Sequence, residues 1–486
     1  MAYTNQFASN ANHCAFVEDQ GINESLSLMN VNRQPYADDM LQRYFNAPKY
    51  RDITCLPEHI RCIDGGIYVS PEAGVSTLGS VAYTRIVSVA LDAKEYRDIV
   101  CSPTIDPERL ANMGSDFKSY NYILPVGATT IGESNSPSDS FRAQIHAILS
   151  DPRYRYRHGD SDTGLMGTVA RLSHMRTGDM GEYRSGKVCI QCPTCRHSPV
   201  LVRWDQPSDI CDHCGAIVYG ADVLNLWEEV SNYMNDAQPA KRFMNTIERI
   251  VLVHDLRETV DKCPDQLGTT CFISDGPLAI FGPAHWLNGP LLNFVHQIYS
   301  LSEDICGRRP LILGIQKGGD LVEHARSVLP ILPVGSVMAL YDDYRRRYVK
   351  GDHYIPERGF GYGSYYGGDF IYISELGELY VFSLPFPFTR EKVGDHFGTF
   401  NAMATAYQEL PRATQFIDAY RCDMFEGALV PIVLANDLAS IGESGSGKVL
   451  DALTNKALSE GSGGLSIIGT DKFDEEVGDG VQGILC

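Results

Sequence analysis

Two stretches decide the fold: Thr269-Thr-Cys-Phe-Ile-Ser-Asp-Gly-Pro-Leu278 and Pro310-Leu-Ile-Leu-Gly-Ile-Gln-Lys-Gly-Gly319. Each is a short apolar run, rich in β-branched or aromatic residues, that stops at a polar residue followed by glycine. That pattern reads as a buried strand ending in a turn. Helical periodicity fills the space around them, at Asn245–Val260, Leu291–Leu301 and Asp320–Val328. Strands alternating with helices imply a mixed α/β sheet covered by helices. Upstream, Arg61-Cys-Ile-Asp-Gly-Gly-Ile-Tyr-Val-Ser70 and Val81–Leu91 add a strand and a hairpin; downstream, Asp369–Ser374 and Leu379–Leu384 flank the turn Glu375-Leu-Gly-Glu378. Chemistry in such sheets gathers where strands end, and Asp64 and Asp275 both stand at a strand end, each followed by glycine.

The chain has 486 residues, 44% of them hydrophobic and 21% charged, an ordinary globular composition with room for more than one structural unit. No run of 18 apolar residues is present, so no membrane span is expected. The opening MAYTNQFASNANHC lacks a basic and then apolar leader, so a cytosolic protein is expected. The net charge of −20 argues against a general nucleic-acid coat. It does not exclude a nuclease, whose metal-binding carboxylates are themselves acidic.

Of the 14 cysteines, five lie between Cys189 and Cys214. Cys192-Pro-Thr-Cys195 and Cys211-Asp-His-Cys214 are two CxxC knuckles, followed by Gly215. Two such pairs supply the four thiolates of a tetrahedral Zn²⁺ site, and this spacing is that of a zinc ribbon over residues 187–220. With four ligands filled, such a zinc is structural. Cys189, His197 and His213 are neighbours of the cluster.

Phosphodiester cleavage with two metal ions needs several carboxylates converging on hard cations such as Mn²⁺ or Mg²⁺. Asp64-Gly-Gly and Asp275-Gly-Pro suit that role, although Asp-Gly is also a common turn. Ile247, Val251, His254 and Glu258 share one helical face. A carboxylate on an apolar stripe requires a partner, either a metal or a salt bridge.

Taken in order, RCIDGGIYVS, then Glu258 seventeen residues before the Asp of SDGPLAIFG, then ILGIQKGG and DFIYISELGELYVFSLPF, resemble the NurA family of prokaryotic nucleases. The resemblance implies an RNase H-like α/β fold, with Asp64, Glu258 and Asp275 as catalytic metal ligands for Mn²⁺ or Mg²⁺. Lys317 then stands near the scissile phosphate, and Asn436 or Asp437, in Val430-Pro-Ile-Val-Leu-Ala-Asn436, completes the shell. It further implies DNA as substrate, a homodimer, and a HerA-like hexameric ATPase as partner, in DNA end processing or antiphage defence within a prokaryotic cytoplasm. The chain departs from the family pattern in its Asp-Gly-Gly, in Asn436 where a histidine is expected, and in the 194 residues separating Asp64 from Glu258.

On this reading residues 1–60 form an N-terminal extension, 61–99 and 244–458 the nuclease domain, 100–243 an insertion carrying the ribbon, and 459–486 a flexible tail. Arg345, Arg346 and Arg347, interleaved with Tyr341, Tyr344 and Tyr348, are candidate DNA contacts; a solvated helix face is the alternative. Gly442-Glu-Ser-Gly-Ser-Gly-Lys448 has phosphate-loop spacing but is followed by Val449 instead of Ser or Thr, so a linker capping the helix Val449–Leu458 is the better account. The rival functional reading is a catalytically inactive zinc-ribbon adaptor that binds the ATPase and DNA.

Overall fold

A computed structural model describes residues 56–70, 79–100, 116–177, 186–341, 344–349, 363–389, 404–442 and 446–461, apart from single-residue and short gaps, together with 20–28, 39 and 44–46. Thirteen strands are described: β1 Tyr44–Asn46, β2 His59–Val69, β3 Gly79–Asp92, β4 Phe117–Gly127, β5 Lys187–Gln191, β6 Pro199–Arg203, β7 Asp209–Ile210, β8 Ile217–Val218, β9 Thr270–Asp275, β10 Leu311–Gln316, β11 Ser336–Ala339, β12 Gly367–Ile373 and β13 Leu379–Pro385. The α-helices are α1 Gln20–Leu28, α2 Ala93–Val100, α3 Pro137–Ser150, α4 Leu165–Thr177, α5 Gln238–Lys262, α6 Asn288–Cys306, α7 Asp320–Val328, α8 Leu410–Ala419, α9 Val430–Ala439 and α10 Ser446–Gly461. None is long and apolar enough to cross a membrane.

Nine strands form one mixed sheet in the order β1-β11-β12-β13-β10-β9-β2-β3-β4. At its centre β2, β9 and β10 run parallel, in register from His59 opposite Thr270 and from Leu311 opposite Cys271. β10 and most of β9 are buried along their length, as expected of strands covered on both faces. β3 runs antiparallel to β2, and β4 antiparallel to β3. Within the five strands from β4 to β10 the spatial order is therefore third, second, first, fourth, fifth, with the second alone reversed. That is the RNase H-like arrangement, and it confirms the expected fold class.

The expected boundary at residue 100 falls inside this sheet. β4 is the third core strand, so the segment 100–243 contributes to the main fold instead of being wholly an insertion. Its burial alternates, with Tyr120, Tyr122 and Leu124 buried and Phe117, Asn121 and Ile123 exposed, the period of a strand packed on one face. Where the sequence of 221–234 suggests a helix, the described residues form two short 3₁₀ turns, Gly220–Leu224 and Leu226–Glu229; residues 233 and 234 lie outside the described residues.

Two helices cover the two faces of β2, and consecutive glycines mark where they press on it. A Cβ on Gly65 would lie under 3.0 Å from Glu248 Oε1 on α5, and one on Gly66 equally close to the Ala439 carbonyl of α9. Successive strand residues face opposite sides, so each glycine lets a different helix approach. This is why Asp64 is followed by Gly-Gly.

Candidate functional site

The site grows from the way the parallel strands end. β2 pairs with β9 only as far as Ile63 opposite Ser274, then leaves it while still paired to β3. Asp64 is the first residue past this fork. Asp275 closes β9 opposite Ile315 of β10, and Lys317 follows the last residue of β10. Three separate chain segments thus deliver Asp64, Asp275 and Lys317 to one spot, where the parallel pairing of three adjacent strands ends.

The side chains meet there. Lys317 Nζ lies 3.0 Å from Asp64 Oδ2 and 3.2 Å from Asp275 Oδ2, while the Gly65 amide donates to Asp64 Oδ1 at 2.8 Å. Asp64 is only 2% exposed. Burial, then the neighbouring Asp275, raise its pKa to about 6 against the opposing pull of Lys317 and the Gly65 amide. One ammonium therefore serves two carboxylates, and the negative charge is incompletely balanced.

A third carboxylate approaches from α5, and it is Glu248. It is buried against Gly65, and burial lifts its pKa to about 8. Arg249 opposes that rise, and the charges of Asp64 and Asp275 add to it. Glu248 and Asp275 border a cavity of about 190 Å³ that Gly65, Arg242, Arg249 and Gly276 also line. Arg249 organises this corner: it donates to Ser274 Oγ at 2.5 Å, to the Asp275 carbonyl at 2.7 Å and to the Pro277 carbonyl at 3.2 Å, and it pairs with Glu248 at 3.2 Å.

The structure does not bring Glu258 to this cluster. Glu258 lies ten residues beyond Glu248 on α5, about 15 Å further along the helix axis. It is ion-paired with Lys118 of β4 and, at 2.8 Å, with Lys262. Burial pushes its pKa up, but the two lysines outweigh burial and hold it at about 2. The shared face of Ile247, Val251, His254 and Glu258 is buried as expected; the level along the helix is what differs.

Asn436 and Asp437 are both exposed on α9, whose buried side is Ile432, Ala435 and Ala439. Arg345 is engaged within the fold: it pairs with the buried Asp369 at 2.5 Å and lies over the Tyr365 ring at 4.7 Å. It is therefore not an open phosphate contact. The side chains of Arg346 and Arg347 lie outside the described residues, as do residues 443–445 of the glycine-rich run; beside them the Gly447 amide donates to the Gly442 carbonyl at 2.8 Å.

The four ribbon cysteines converge. Cys192 Sγ lies 3.7 Å from Cys214 Sγ and Cys195 Sγ 3.8 Å from Cys211 Sγ, all four sulfurs lying within 4.8 Å of one another. A tetrahedron with metal–sulfur bonds of about 2.3 Å has edges of about 3.8 Å, so the donor set fits such an ion. Each knuckle closes by a backbone bond, Arg196 N to Cys192 O at 3.0 Å and Gly215 N to Cys211 O at 2.8 Å, with Gly215 at φ +73°. The hairpin β5–β6 carries the first knuckle and β7–β8 flanks the second. Val188, Val202 and Trp204 tie the ribbon into the main core.

No known protein family and no curated protein matches the chain by sequence. Among solved structures, it is similar to the NurA nuclease from Sulfolobus solfataricus, at 10% identity and a TM-score of 0.34 over 94% of this chain and 98% of that one. A second NurA structure is similar at 12% identity and a TM-score of 0.29, covering 90% and 97%. A NurA bound to dAMP and manganese is similar at 11% identity and a TM-score of 0.26, covering 92% and 96%.

Proposed function

We propose that this chain is a NurA-like deoxyribonuclease that depends on a divalent metal, with Asp64, Asp275 and Glu248 as its carboxylates. The observation that carries this reading is the convergence of Asp64, Asp275 and Lys317 at the strand ends of an RNase H-like sheet, with Glu248 buried beside them. Mn²⁺ or Mg²⁺ fits the donor set: hard oxygen ligands from three acidic side chains whose mutual repulsion the protein's own cations leave partly uncancelled. When bound, such ions polarise a phosphodiester and lower the pKa of water.

The chain's own residues supply the rest. Asp64 and Asp275 are fixed by strand ends and Glu248 by a helix, so the carboxylates are positioned before substrate arrives. Lys317 presents a point charge suited to a phosphate oxygen. Arg249 anchors the turn on which Asp275 sits. Asn436 or Asp437 remains the α9 group proposed to complete the shell. The ribbon cysteines are proposed to hold a structural Zn²⁺, and a metal assay returning well under one zinc per chain would remove that assignment.

The sequence resemblance supports the finer parts of the proposal: a homodimer working with a HerA-like hexameric ATPase, processing DNA ends or acting in antiphage defence in a prokaryotic cytoplasm. The deciding experiment is Mn²⁺-dependent cutting of labelled linear DNA, with and without such an ATPase. Cutting that disappears in Asp64→Ala and Asp275→Ala supports the reading. If folded wild type does not cut under either condition, the inactive adaptor replaces it.

A further inference from the structure

We propose that a cavity of about 400 Å³ between α3, the start of α4 and the cysteine ribbon binds a small planar aromatic anion, its anionic group on Arg155 and its ring against Trp204. The inference is independent of the nuclease reading above, since neither Asp64, Asp275, Glu248 nor Lys317 lines this cavity.

The cavity lies at a seam. Ala143, His146 and Leu149 enter it from α3, Met166 from α4, and Trp204 and Tyr219 from the ribbon. Gly220 shows how closely the two sides meet beside it: a Cβ there would lie 3.2 Å from Trp204 Cα and 3.6 Å from His146 Cε1. Small-ligand sites favour such junctions, with volumes of roughly 300–1,000 Å³ and mostly apolar walls that carry a few polar groups.

The walls suit a flat ligand. Leu149, Met166 and Trp204 are buried. The His146 and Tyr219 rings stand 5.7 Å apart, tilted by 32°. Aromatic walls favour a ring that can stack on them or meet them edge-on.

Two polar groups of the wall lack partners. Arg155 is half-buried, and no hydrogen bond or ion pair engages its guanidinium among the described residues. The acids on either side of it in the chain and in the cavity are committed elsewhere: Asp151 accepts from Arg153 at 2.6 Å, and Asp205 from Arg203 at 2.7 Å. A guanidinium left open in this way suits a carboxylate or a phosphate. The second group is the buried His146. Its Nε2 lies 3.0 Å from the Gln206 carbonyl, which can only accept, so Nε2 carries the proton. Burial lowers the pKa of the ring and keeps it neutral at pH 7. Nδ1 is then an acceptor, buried and without a hydrogen-bond partner. Such an orphan costs free energy, and an N–H or O–H on a ligand is the donor it lacks.

The complementary ligand therefore carries a negative group, a flat ring and a donor hydrogen. A mononucleotide and a hydroxylated aromatic carboxylate both have all three. The test is calorimetric titration of the full chain, without added Mn²⁺ or Mg²⁺, with dAMP and with 4-hydroxybenzoate. Deoxyadenosine, which lacks the anion, and inorganic phosphate, which lacks the ring, are the controls. At least one of the two aromatic anions should bind and raise the melting temperature, and the tighter of them names the source. Both controls should bind at least 10-fold more weakly. Arg155→Ala should weaken binding by about 10- to 100-fold, the equivalent of one hydrogen bond to a charged group, and Arg155→Lys should restore part of it. Because Arg155 has no partner to lose, the ligand-free melting temperature of Arg155→Ala should match wild type. Ala143→Phe, which fills the cavity, should abolish binding. Absence of binding by both aromatic anions at millimolar concentration overturns the proposal. So does binding that survives in Arg155→Ala and Ala143→Phe, or a control that binds as tightly as the aromatic anions. Failure of the chain to cut DNA strikes the nuclease assignment and leaves this one standing.

Discussion

Helix α5 carries two buried glutamates ten residues apart, and the protein treats them in opposite ways. Glu258, at the carboxyl end, receives Lys118 and Lys262, whose side chains are 36% and 49% exposed and keep contact with water. Its charge is matched, and its pKa sits at about 2. Glu248, at the amino-terminal half, has only Arg249, and that guanidinium is shared with Ser274 and two carbonyls. Burial lifts the pKa of Glu248 to about 8; Arg249 and Lys317 oppose the rise, and the charges of Asp64 and Asp275 add to it. Both side chains are closed off from solvent, but Glu248 is packed the more deeply, so heavier desolvation and poorer charge balance together set the difference. On the proposed function, Glu258 is a structural carboxylate given its partners and Glu248 a ligand left short of them.

The sharpest way to break this comparison is to neutralise each glutamate in turn. Glu248→Gln should lower metal-dependent cutting by on the order of 100-fold or more, the size seen when one preorganised electrostatic group is removed from an active site. Glu258→Gln should cut within a few-fold of wild type. The assay is initial rate on linear DNA at saturating Mn²⁺, and equal losses in the two variants would put Glu258 back among the catalytic residues.

Stability should move the other way. The folded pKa of Glu248 lies above its ordinary 4.5, so its ionised form is worse off folded than unfolded, and stability falls as pH rises from about 4.5 to about 8. In EDTA, Glu248→Gln should therefore be more stable than wild type at pH 8, by on the order of 4–5 kcal/mol, and equal to it below pH 4.5. Urea unfolding at both pH values reads this, and a less stable variant at pH 8 would contradict an unmatched charge. For Glu258 the folded pKa is depressed, so its contribution is present above about pH 4.5 and is lost as pH falls toward 2. Glu258→Gln should cost about 1 kcal/mol at pH 7, a small figure because both lysines remain solvated. The gap should close in acid.

The sequence made some of this legible. Asp64 and Asp275 carried a local signal, an aspartate before glycine at the end of an apolar run, which the ordered resemblance singled out together with Lys317. The ribbon was readable for the same reason, since its ligands come in short pairs. Glu248 was not readable. Residues 246–259 of α5 are buried all round, so an apolar stripe cannot rank the carboxylates on it. Which one matters is set by its level along the axis relative to the fork after Ile63, and that depends on how the chain packs. The neighbouring Arg249 also makes Glu248 look like half of a surface pair. β4 has its alternating Tyr120, Tyr122 and Leu124, but so short a period inside an irregular, polar stretch does not stand out. Arg345 looked like an open cation because its partner, Asp369, lies on β12, and no local spacing announces that pair.

The smallest predicted effect concerns protons. Near pH 7 a glutamate with a pKa of about 8 is mostly protonated, while Asp64, at about 6, is mostly ionised. Metal ligation requires the ionised form, so binding must expel whatever proton is present. Mn²⁺ titrated into wild type at pH 7 should therefore release about one proton, nearly all of it from Glu248. Calorimetry in buffers of different ionisation enthalpy measures that number. Glu258→Gln should release the same number as wild type, and Glu248→Gln almost none. Apparent metal affinity should then climb between pH 6 and pH 8 in wild type and stay nearly flat over that range in Glu248→Gln. A wild type that binds Mn²⁺ at pH 7 without proton release would mean Glu248 is already ionised, and the contrast between the two ends of α5 would lose its physical basis.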